Sequence, residues 1–473
     1  MKKQPKERIT WISLTAVVLL CTTLLIFAPG AFADSSNRNI QRYISLFEQV
    51  FRFVHENYVD EVEPEVLFEG ALNGLFDSLD DPHSTYLTEN EMQDLTDTTS
   101  GKFGGVGLYI SKSERGEGEE DTAVEGYSPY VRVVAPIEDT PAAKAGIHAG
   151  DLITAIEGDS TKDMDLDEVV DRLRGTPGTD VSITILRGED IDFPVTLTRA
   201  VIEVPTTKHD MIPGGIGYLR IIQFTPLTDE RVLDALKYFK KQNFNSLIID
   251  VRNNPGGLLT SVVDVTDFFL PGGIIVSTRS RIPSENMVYT ADPEVQISRN
   301  VPIVVLIDKG SASASEILAG ALKDRDRAYL IGETSFGKGS VQQIKYIGEG
   351  GFKLTMSRYY TPSGTNIDKI GIEPDKEVKE PELNEEERAS YRKLLEEQTI
   401  ADFVENTRPI TSREIDRFIE KLRKQGIVLE ERILRKLIRN EIHKTNDSPP
   451  VYDLEYDLAL QKAVEMLKSG KIR

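Results

Sequence analysis

The chain has 473 residues, of which 39% are hydrophobic and 28% charged, and a formal net charge of -21. Its length predicts roughly two to four domains with room for buried cores. The acidic balance argues against a nucleic-acid partner and against broad electrostatic binding to anionic lipid.

The first 34 residues stand apart. Lys2, Lys3, Lys6 and Arg8 precede an almost wholly apolar run over 11–28, and Ala31-Phe32-Ala33 reads as a small-residue cleavage site. A buried core helix would not need that basic flank and exit. The pattern predicts a signal peptide or an uncleaved membrane anchor over 1–34, and either places the remainder outside the cytoplasm. Cys21 is the only cysteine and lies inside the run, after Leu20, where a lipoprotein site needs a small residue. With the segment cleaved, no thiol is left for catalysis or for a disulfide.

Residues 35–98 read as helical, with Ile40, Tyr43, Ile44, Phe47, Val50, Phe51 and Val54 at helical spacing and a second helix through Val66–Leu79. Over 99–200 the pattern shifts to short strands with two helices, Pro141–Ala145 and Leu166–Leu173, which predicts a compact β-rich module. Its acidic stretch 111–127 is expected to be a hairpin tip. Residues 201–378 alternate strands and helices: strands at Ile216–Ile222, Ser246–Arg252, Val301–Ile307, Ala328–Ile331 and Phe352–Tyr360, helices at Asp229–Gln242, after Gly257, and after the serine turn. This is the pattern of an α/β core with a buried parallel sheet. Residues 379–473 are charged and helical, near 384–404, 411–424, 427–443 and 452–468, and are expected to pack on the core or on a partner chain.

Two segments carry the chemistry. Strand Val301–Ile307 leads into Lys309-Gly310-Ser311-Ala312-Ser313-Ala314-Ser315-Glu316, with a helix expected from about Ser313. A serine there stands at the carboxyl edge of a sheet. The first N–H groups of the following helix have no intrahelical partner and can hold a developing oxyanion. Ser313-x-x-Glu316 also fits an ordinary capping box, and with Ser311 and Ser315 close by the turn does not name its own nucleophile. The second segment is Thr334-Ser335-Phe336-Gly337-Lys338-Gly339-Ser340-Val341-Gln342. A lysine acts as a base when burial favours its neutral form; the plain alternative is an exposed turn lysine. Gln342 follows four residues later, which in an extended chain is the same face, so it could hydrogen-bond the amine. None of the five histidines falls between 210 and 442. A serine–lysine pair is therefore favoured over a histidine triad, and no metal-ligand spacing is present.

Two glycine turns add to this. Arg252-Asn253-Asn254-Pro255-Gly256-Gly257 follows a buried strand and could supply a second oxyanion donor, or simply lead into a helix. Gly104-Gly105-Val106-Gly107-Leu108 can form an anion nest beside a strand edge, fit for a peptide's terminal carboxylate, or be a simple glycine hairpin.

In combination these residues resemble the carboxyl-terminal processing peptidases, also called tail-specific proteases. The likeness rests on Asp81-Pro82-His83-Ser84-Thr85-Tyr86, Phe103-Gly104-Gly105-Val106-Gly107, Pro141-Ala142-x-x-Ala145-Gly146-Ile147-x-x-Gly150-Asp151, Asp250-Val251-Arg252-Asn253-Asn254-Pro255-Gly256-Gly257, the serine turn and Phe336-Gly337-Lys338-Gly339, in that order. The resemblance implies a multidomain α/β protein: a leader or anchor (1–34), a helical dimerisation region (35–98), a PDZ domain (99–200), an α/β serine protease core (201–378) and a second helical dimerisation region (379–473). It implies Ser313 as nucleophile, Lys338 as general base, Gln342 as its orienter, and the N–H groups of Gly257 and Ala314 as oxyanion hole. Gly105, Val106, Gly107 and Leu108 would receive the substrate's C-terminus, and Arg172, with Arg174 close by, would couple the PDZ domain to the active site. The chemistry implied is acyl transfer without cofactor or metal, on protein or peptide tails, by a homodimer. An exported non-enzymatic scaffold that binds C-termini and a small-ester hydrolase are the rival readings. The intact Ser313, Lys338 and Gln342 set speaks against the first, and the peptide-binding module against the second.

Overall fold

The computed structural model describes residues 29–112, 128–137, 140–148, 150–188, 191–348, 350–407, 409–444 and 450–472. The apolar run 11–28 and most of the acidic stretch 111–127 lie outside them, as does Cys21. Among the described residues no helix is long and apolar enough to cross a membrane, and no cluster of acidic, histidine or cysteine side chains could hold a metal ion.

The described chain divides into two units. The first comprises residues up to Thr88 together with Lys345–Lys353. Helices Pro29–Asn57 and Pro64–Asp77 lie in it, and strand Thr85–Leu87 pairs antiparallel with Gly351–Lys353. The rings of Phe76 and Phe352 meet at 5.5 Å. The heptad-like positions Ile40, Tyr43, Ile44, Phe47 and Val50 of the long helix are exposed, so their spacing forms a helix but they are not part of a core within this unit.

The second unit comprises Glu89–Ile344 and Leu354–Arg473. Helix Glu89–Ser100 belongs to it because Asp94 and Asp97 pair with Arg174 and because Val204 N–H donates to Gly101. Next comes the β-rich module. Strands Leu108–Ser111, Val131–Pro136, Leu152–Ile156, Asp180–Arg187 and Ile191–Thr198 form an antiparallel sheet in that order, leaving Leu108–Ser111 at one edge. Val131 and Val133, and Val181, Ile183 and Ile185, at alternate positions of their strands, form one core with Ile153, Ile156 and with Val169 and Leu173 of helix Leu166–Leu173. Asp165 caps that helix by accepting from the Glu168 N–H at 2.7 Å.

Asp151 is the buried charge of this module. Burial pushes its carboxyl up, but the Arg187 guanidinium, donating at 2.8 and 2.7 Å, brings it below the ordinary aspartate value of 3.8. A lowered carboxyl contributes stability that is present above its unfolded value and lost as pH falls through the folded one. Asp151→Asn is therefore expected to cost about 1–3 kcal/mol at pH 7 and much less in strong acid. Urea unfolding of both proteins at neutral and acid pH measures this; an equal cost at both would refute it.

The α/β core carries the second sheet, in the order Thr207–Ile212, Ile216–Ile221, Ser246–Asp250, Ile303–Ile307, Tyr329–Gly332, Lys376–Glu377. The first pair is antiparallel and the rest parallel. Ser246–Asp250 and Ile303–Ile307 are buried along their whole length, as continuous apolar strands in a sheet covered on both faces must be. One face packs on helices Thr228–Lys241, Leu259–Asp267 and Ala314–Asp324. The other packs on the last helix, Leu458–Lys468, through Leu460, Ala463 and Val464. Strands Gly273–Ser280 and Val288–Ala291 form an antiparallel pair in the stretch between helices where the sequence reading placed nothing. The residues between 385 and 444 behave differently from the last helix. Leu394, Ile400, Val404, Phe418, Ile419, Leu422, Leu434 and Ile438 pack on one another as a separate helical cluster.

Candidate active site

Ser313 stands where strand Ile303–Ile307 has ended and helix Ala314–Asp324 begins. The helix is buried from Ala314 through Leu322, so this turn opens onto the interior edge of the core and not onto a solvated surface. Ser313 has φ +53° and ψ -111°, a backbone state that a side-chain-bearing residue adopts only when its surroundings enforce it, at a cost of about 1–3 kcal/mol.

The three serines of the turn have different fates. Ser311 donates its hydroxyl to the Val251 carbonyl at 2.8 Å and accepts from the Asp308 N–H at 3.0 Å. Ser315 donates to the Asn254 carbonyl at 3.0 Å. Both are 0% exposed, whereas Ser313 is 8% exposed. Ser311 and Ser315 thus brace the turn against the neighbouring loop. Ser311→Ala should cost about 1–3 kcal/mol, because the Val251 carbonyl and the Asp308 N–H lose a buried partner, while cleavage survives in the folded protein. A folded Ser311→Ala as inactive as Ser313→Ala would contradict this.

The neighbouring loop is the Asn253–Gly257 turn. Asn254 is fully buried: its side chain donates to the Ile221 carbonyl at 2.9 Å and accepts from Gly256 N–H at 2.8 Å, and its carbonyl accepts from Ala312 N–H at 3.0 Å. Asp308 accepts from Asn253 N–H and Gly310 N–H, each at 2.9 Å. Gly256 lies against the serine turn so closely that a Cβ there would stand 2.8 Å from the Ser313 Cβ. Gly257 has φ +139°, and a Cβ on it would stand 2.0 Å from the Phe224 carbonyl oxygen, so only glycine fits. Among the described residues no protein acceptor takes the N–H of Gly257 or of Ala314.

Glu316 joins this turn to the lysine loop. It is 0% exposed. One carboxylate oxygen accepts from the Ser335 hydroxyl and Gly337 N–H, each at 2.6 Å; the other accepts from Ser313 N–H and Lys338 N–H, each at 2.8 Å. Burial pushes its carboxyl above the ordinary glutamate value, and the donated hydrogen bonds pull against that shift. The capping-box signal of the sequence was therefore genuine on its Glu316 side, and the same carboxylate also holds Lys338.

Lys338 is half-buried. It lies in a loop between Gly337 (φ +89°) and Gly339, where a Cβ would stand 2.2 Å from the Asp368 nitrogen. The strand begins only at Ser340. The expected shared face of one extended chain therefore does not apply to Lys338 and Gln342. Gln342 is on the strand, where its side-chain amide nitrogen donates to Ser340 and Thr355 hydroxyls at 2.9 and 3.2 Å, which turns the carbonyl oxygen the other way.

Arg252 begins the glycine turn and is tied to the far end of the chain. It pairs with buried Asp250 at 2.6 Å and with Asp457, the cap of the last helix, at 2.6 Å. Asp250 also accepts from the Tyr218 hydroxyl at 2.7 Å. His209 lies against the rings of Tyr238 and Phe239.

In the β-rich module, Gly105 ends strand Lys102–Gly105, Val106 is buried in the module core, Gly107 has φ +82° against Thr140, and Leu108 opens the edge strand. Arg172 keeps its guanidinium on Glu168 and Asp159, both at 2.8 Å and both within the module. Arg174 instead reaches Asp94 on helix Glu89–Ser100 and lies over the Phe103 ring at 5.2 Å.

The comparisons with known proteins agree with this layout. Residues 215–378 match peptidase family S41, residues 132–187 match the PDZ domain, and residues 31–91 match the activating protease CtpB N-terminal domain. The chain is 41% identical over 377 residues to a carboxy-terminal-processing protease of Bartonella bacilliformis, covering 78% of this chain and 82% of that one. It is 37% identical over 317 residues to the carboxyl-terminal-processing protease of Synechocystis, covering 66% and 71%. It is 33% identical over 360 residues to the carboxy-terminal processing protease CtpB of Bacillus subtilis, covering 75% and 71%. The chain belongs to the carboxy-terminal processing proteases, serine-type peptidases of family S41 that carry a PDZ domain.

Proposed function

We propose that this protein is an exported endopeptidase in which Lys338 activates Ser313 to cut near the C-termini of protein substrates, with the PDZ domain holding the tail and gating the site. The observation that carries this reading is the buried Glu316 carboxylate. It takes the backbone N–H groups of Ser313 and Lys338 at 2.8 Å each and so fixes nucleophile turn and base loop to one point.

The mechanism proposed is acyl transfer. Neutral Lys338 accepts the Ser313 proton, and Oγ forms a bond to the scissile carbonyl carbon while the carbonyl π pair moves onto its oxygen. The N–H groups of Gly257 and Ala314 receive that oxyanion. Gln342 presents its carbonyl oxygen to the lysine amine and fixes its direction. Lys338 returns the proton to the departing amine, and water then releases the acyl group. The edge strand Leu108–Ser111, with the Gly105–Leu108 loop at its start, offers the tail a strand to pair with and N–H groups for its carboxylate. Arg172, or Arg174 through its pair with Asp94, is the candidate link from tail binding to catalysis. The basic and apolar leader supports export or anchorage through residues 11–28. The exposed apolar stripe on helix Pro29–Asn57 supports a second copy as partner.

The test is trapping of the acyl-enzyme. Full-length protein is mixed with an unstructured protein bearing a free apolar C-terminus and quenched in acid before steady state. The substrate's amino-terminal fragment is expected on Ser313, and not in Lys338→Ala. An adduct mapped to a different residue would reject the nucleophile. Equal cleavage of a substrate with an amidated C-terminus would reject the tail reading.

A further inference from the structure

We propose that Asp457 is a positioning residue: through its ion pair with Arg252 it holds the Asn253–Gly257 turn, so that the last helix fixes where the Gly257 N–H meets the oxyanion. The inference rests on Gly257 being an oxyanion donor for acyl transfer at Ser313, and it adds a residue that none of the sequence motifs contains.

The guanidinium of Arg252 forks between two carboxylates. Nε and one terminal nitrogen donate to Asp250 at 3.0 and 2.6 Å, and the two terminal nitrogens donate to Asp457 at 2.9 and 2.6 Å. Asp250 is 1% exposed and also accepts from the Arg252 backbone N–H at 3.0 Å. Asp457 precedes helix Leu458–Lys468 and accepts from the Leu460 N–H at 2.9 Å, with one of the oxygens that meets Arg252. Leu460, Ala463 and Val464 of that helix are buried in one core with Ile248, Val304 and Leu306 of the sheet. Asp457 is therefore carried by a packed element.

Neither ordinary need calls for the second carboxylate. Asp250 by itself neutralises Arg252, and an asparagine or serine would cap the helix as well. Two carboxylates on one partly buried guanidinium leave a negative charge unbalanced, and taking charges out of water is costly. What the second pair contributes is geometry: a planar fork is fixed from two directions. The guanidinium borders a cavity of about 100 Å3 that Asp308 and Asp457 also line, so the carboxylates more than packing set its place.

Arg252 is followed at once by Asn253, at φ +54°, where the chain turns. The far end of the turn is held by Phe224, whose N–H donates to the Gly256 carbonyl at 2.9 Å and whose carbonyl accepts from Leu258 N–H at 2.8 Å. The near end is held by Asp308, which accepts from Asn253 N–H at 2.9 Å, and by the Arg252 fork. An oxyanion donor acts only within about 2.7–3.1 Å of the developing charge. A shift of the near end is passed along the turn to the Gly257 N–H. Such a loss weakens the transition state more than the bound substrate, so it lowers kcat and leaves KM nearly unchanged.

The experiment compares full-length wild type, Asp457→Asn, Arg252→Lys, their double variant and Ser313→Ala. Asparagine keeps the helix cap and the volume but turns an NH2 group toward the guanidinium. Lysine keeps the charge, leaves the cap untouched and cannot fork to two carboxylates. Each single variant is expected to lower kcat about tenfold with KM within about twofold, and the double variant to lose no more than the worse single one. A peptide boronic acid, whose tetrahedral adduct on Ser313 puts an oxygen at the Gly257 N–H, should bind more weakly by the same factor as kcat/KM. A residue that only caps the helix would lower the melting temperature and leave kcat of the folded protein unchanged. Wild-type kcat in either folded single variant, additive losses in the double variant, or unchanged boronic-acid affinity would each overturn the positioning role. If Ser313→Ala still cleaves, the reading of the reaction itself fails and the inference falls with it.

Discussion

Ser313→Ala and Lys338→Arg are each expected to lower cleavage about a thousandfold or more while leaving the fold and tail binding intact. Alanine removes the only hydroxyl of the turn that is not committed to a backbone carbonyl, since Ser311 and Ser315 are spent on Val251 and Asn254. Arginine keeps the charge and much of the length of lysine, but its guanidinium does not lose a proton at accessible pH and cannot accept one. Neither change disturbs the brace, because Glu316 binds both residues through their main-chain N–H groups. The measurement is cleavage of an unstructured substrate alongside melting temperature and tail-peptide affinity. Sustained cleavage by folded Ser313→Ala would rule out this nucleophile. Sustained cleavage by Lys338→Arg would rule out the lysine as base.

Glu316→Gln is expected to damage both activity and stability, although Glu316 touches no substrate in the mechanism. All four of its hydrogen bonds come from donors: Ser335, Gly337, Ser313 and Lys338. A glutamine turns one accepting oxygen into an NH2 group that faces two of those donors, in a site with no exposure to water. Each buried donor left unsatisfied costs about 1–3 kcal/mol. Relief comes only if the lysine loop moves away from the serine turn. A displacement of about 1 Å between nucleophile and base is enough to lower the rate on the order of a hundredfold. Urea unfolding and kcat measured on the same samples check both halves. A variant with wild-type kcat at reduced stability would show that Glu316 supports the fold without aligning the site.

Much of the layout was legible because it is local. The helix over Leu166–Leu173, the buried strands around Ser246–Asp250 and Ile303–Ile307, and the helix beginning after Ser313 all follow from periodicity and capping within about a dozen residues. The strands Gly273–Ser280 and Val288–Ala291 were not legible. They pair with each other, Gly273–Ser280 pairs on its other side with Gly350–Tyr360, and the pairing of the two is interrupted by a register shift between Ile274 and Val276. Lys338 was expected in an extended strand; Gly337 and Gly339 instead fold it into a loop packed on Asp368 and Ile370. The charged residues between 385 and 444 gave helices correctly, but whether those helices pack on the core or on one another depends on which apolar faces meet.

The sequence by itself determined the residue types and their order: a serine turn ahead of a helix, a lysine between glycines, a glycine turn after a buried strand, and the family to which they belong. It could do so because turns, caps and glycine positions are set by neighbours in the chain. It did not determine which serine is available. That was decided by carbonyls of Val251 and Asn254, which occupy Ser311 and Ser315 from another loop. Nor did it determine what joins the serine to the lysine. Glu316 and the Arg252–Asp457 pair each act between segments far apart in sequence, and only the packed sheet brings their partners within hydrogen-bonding distance.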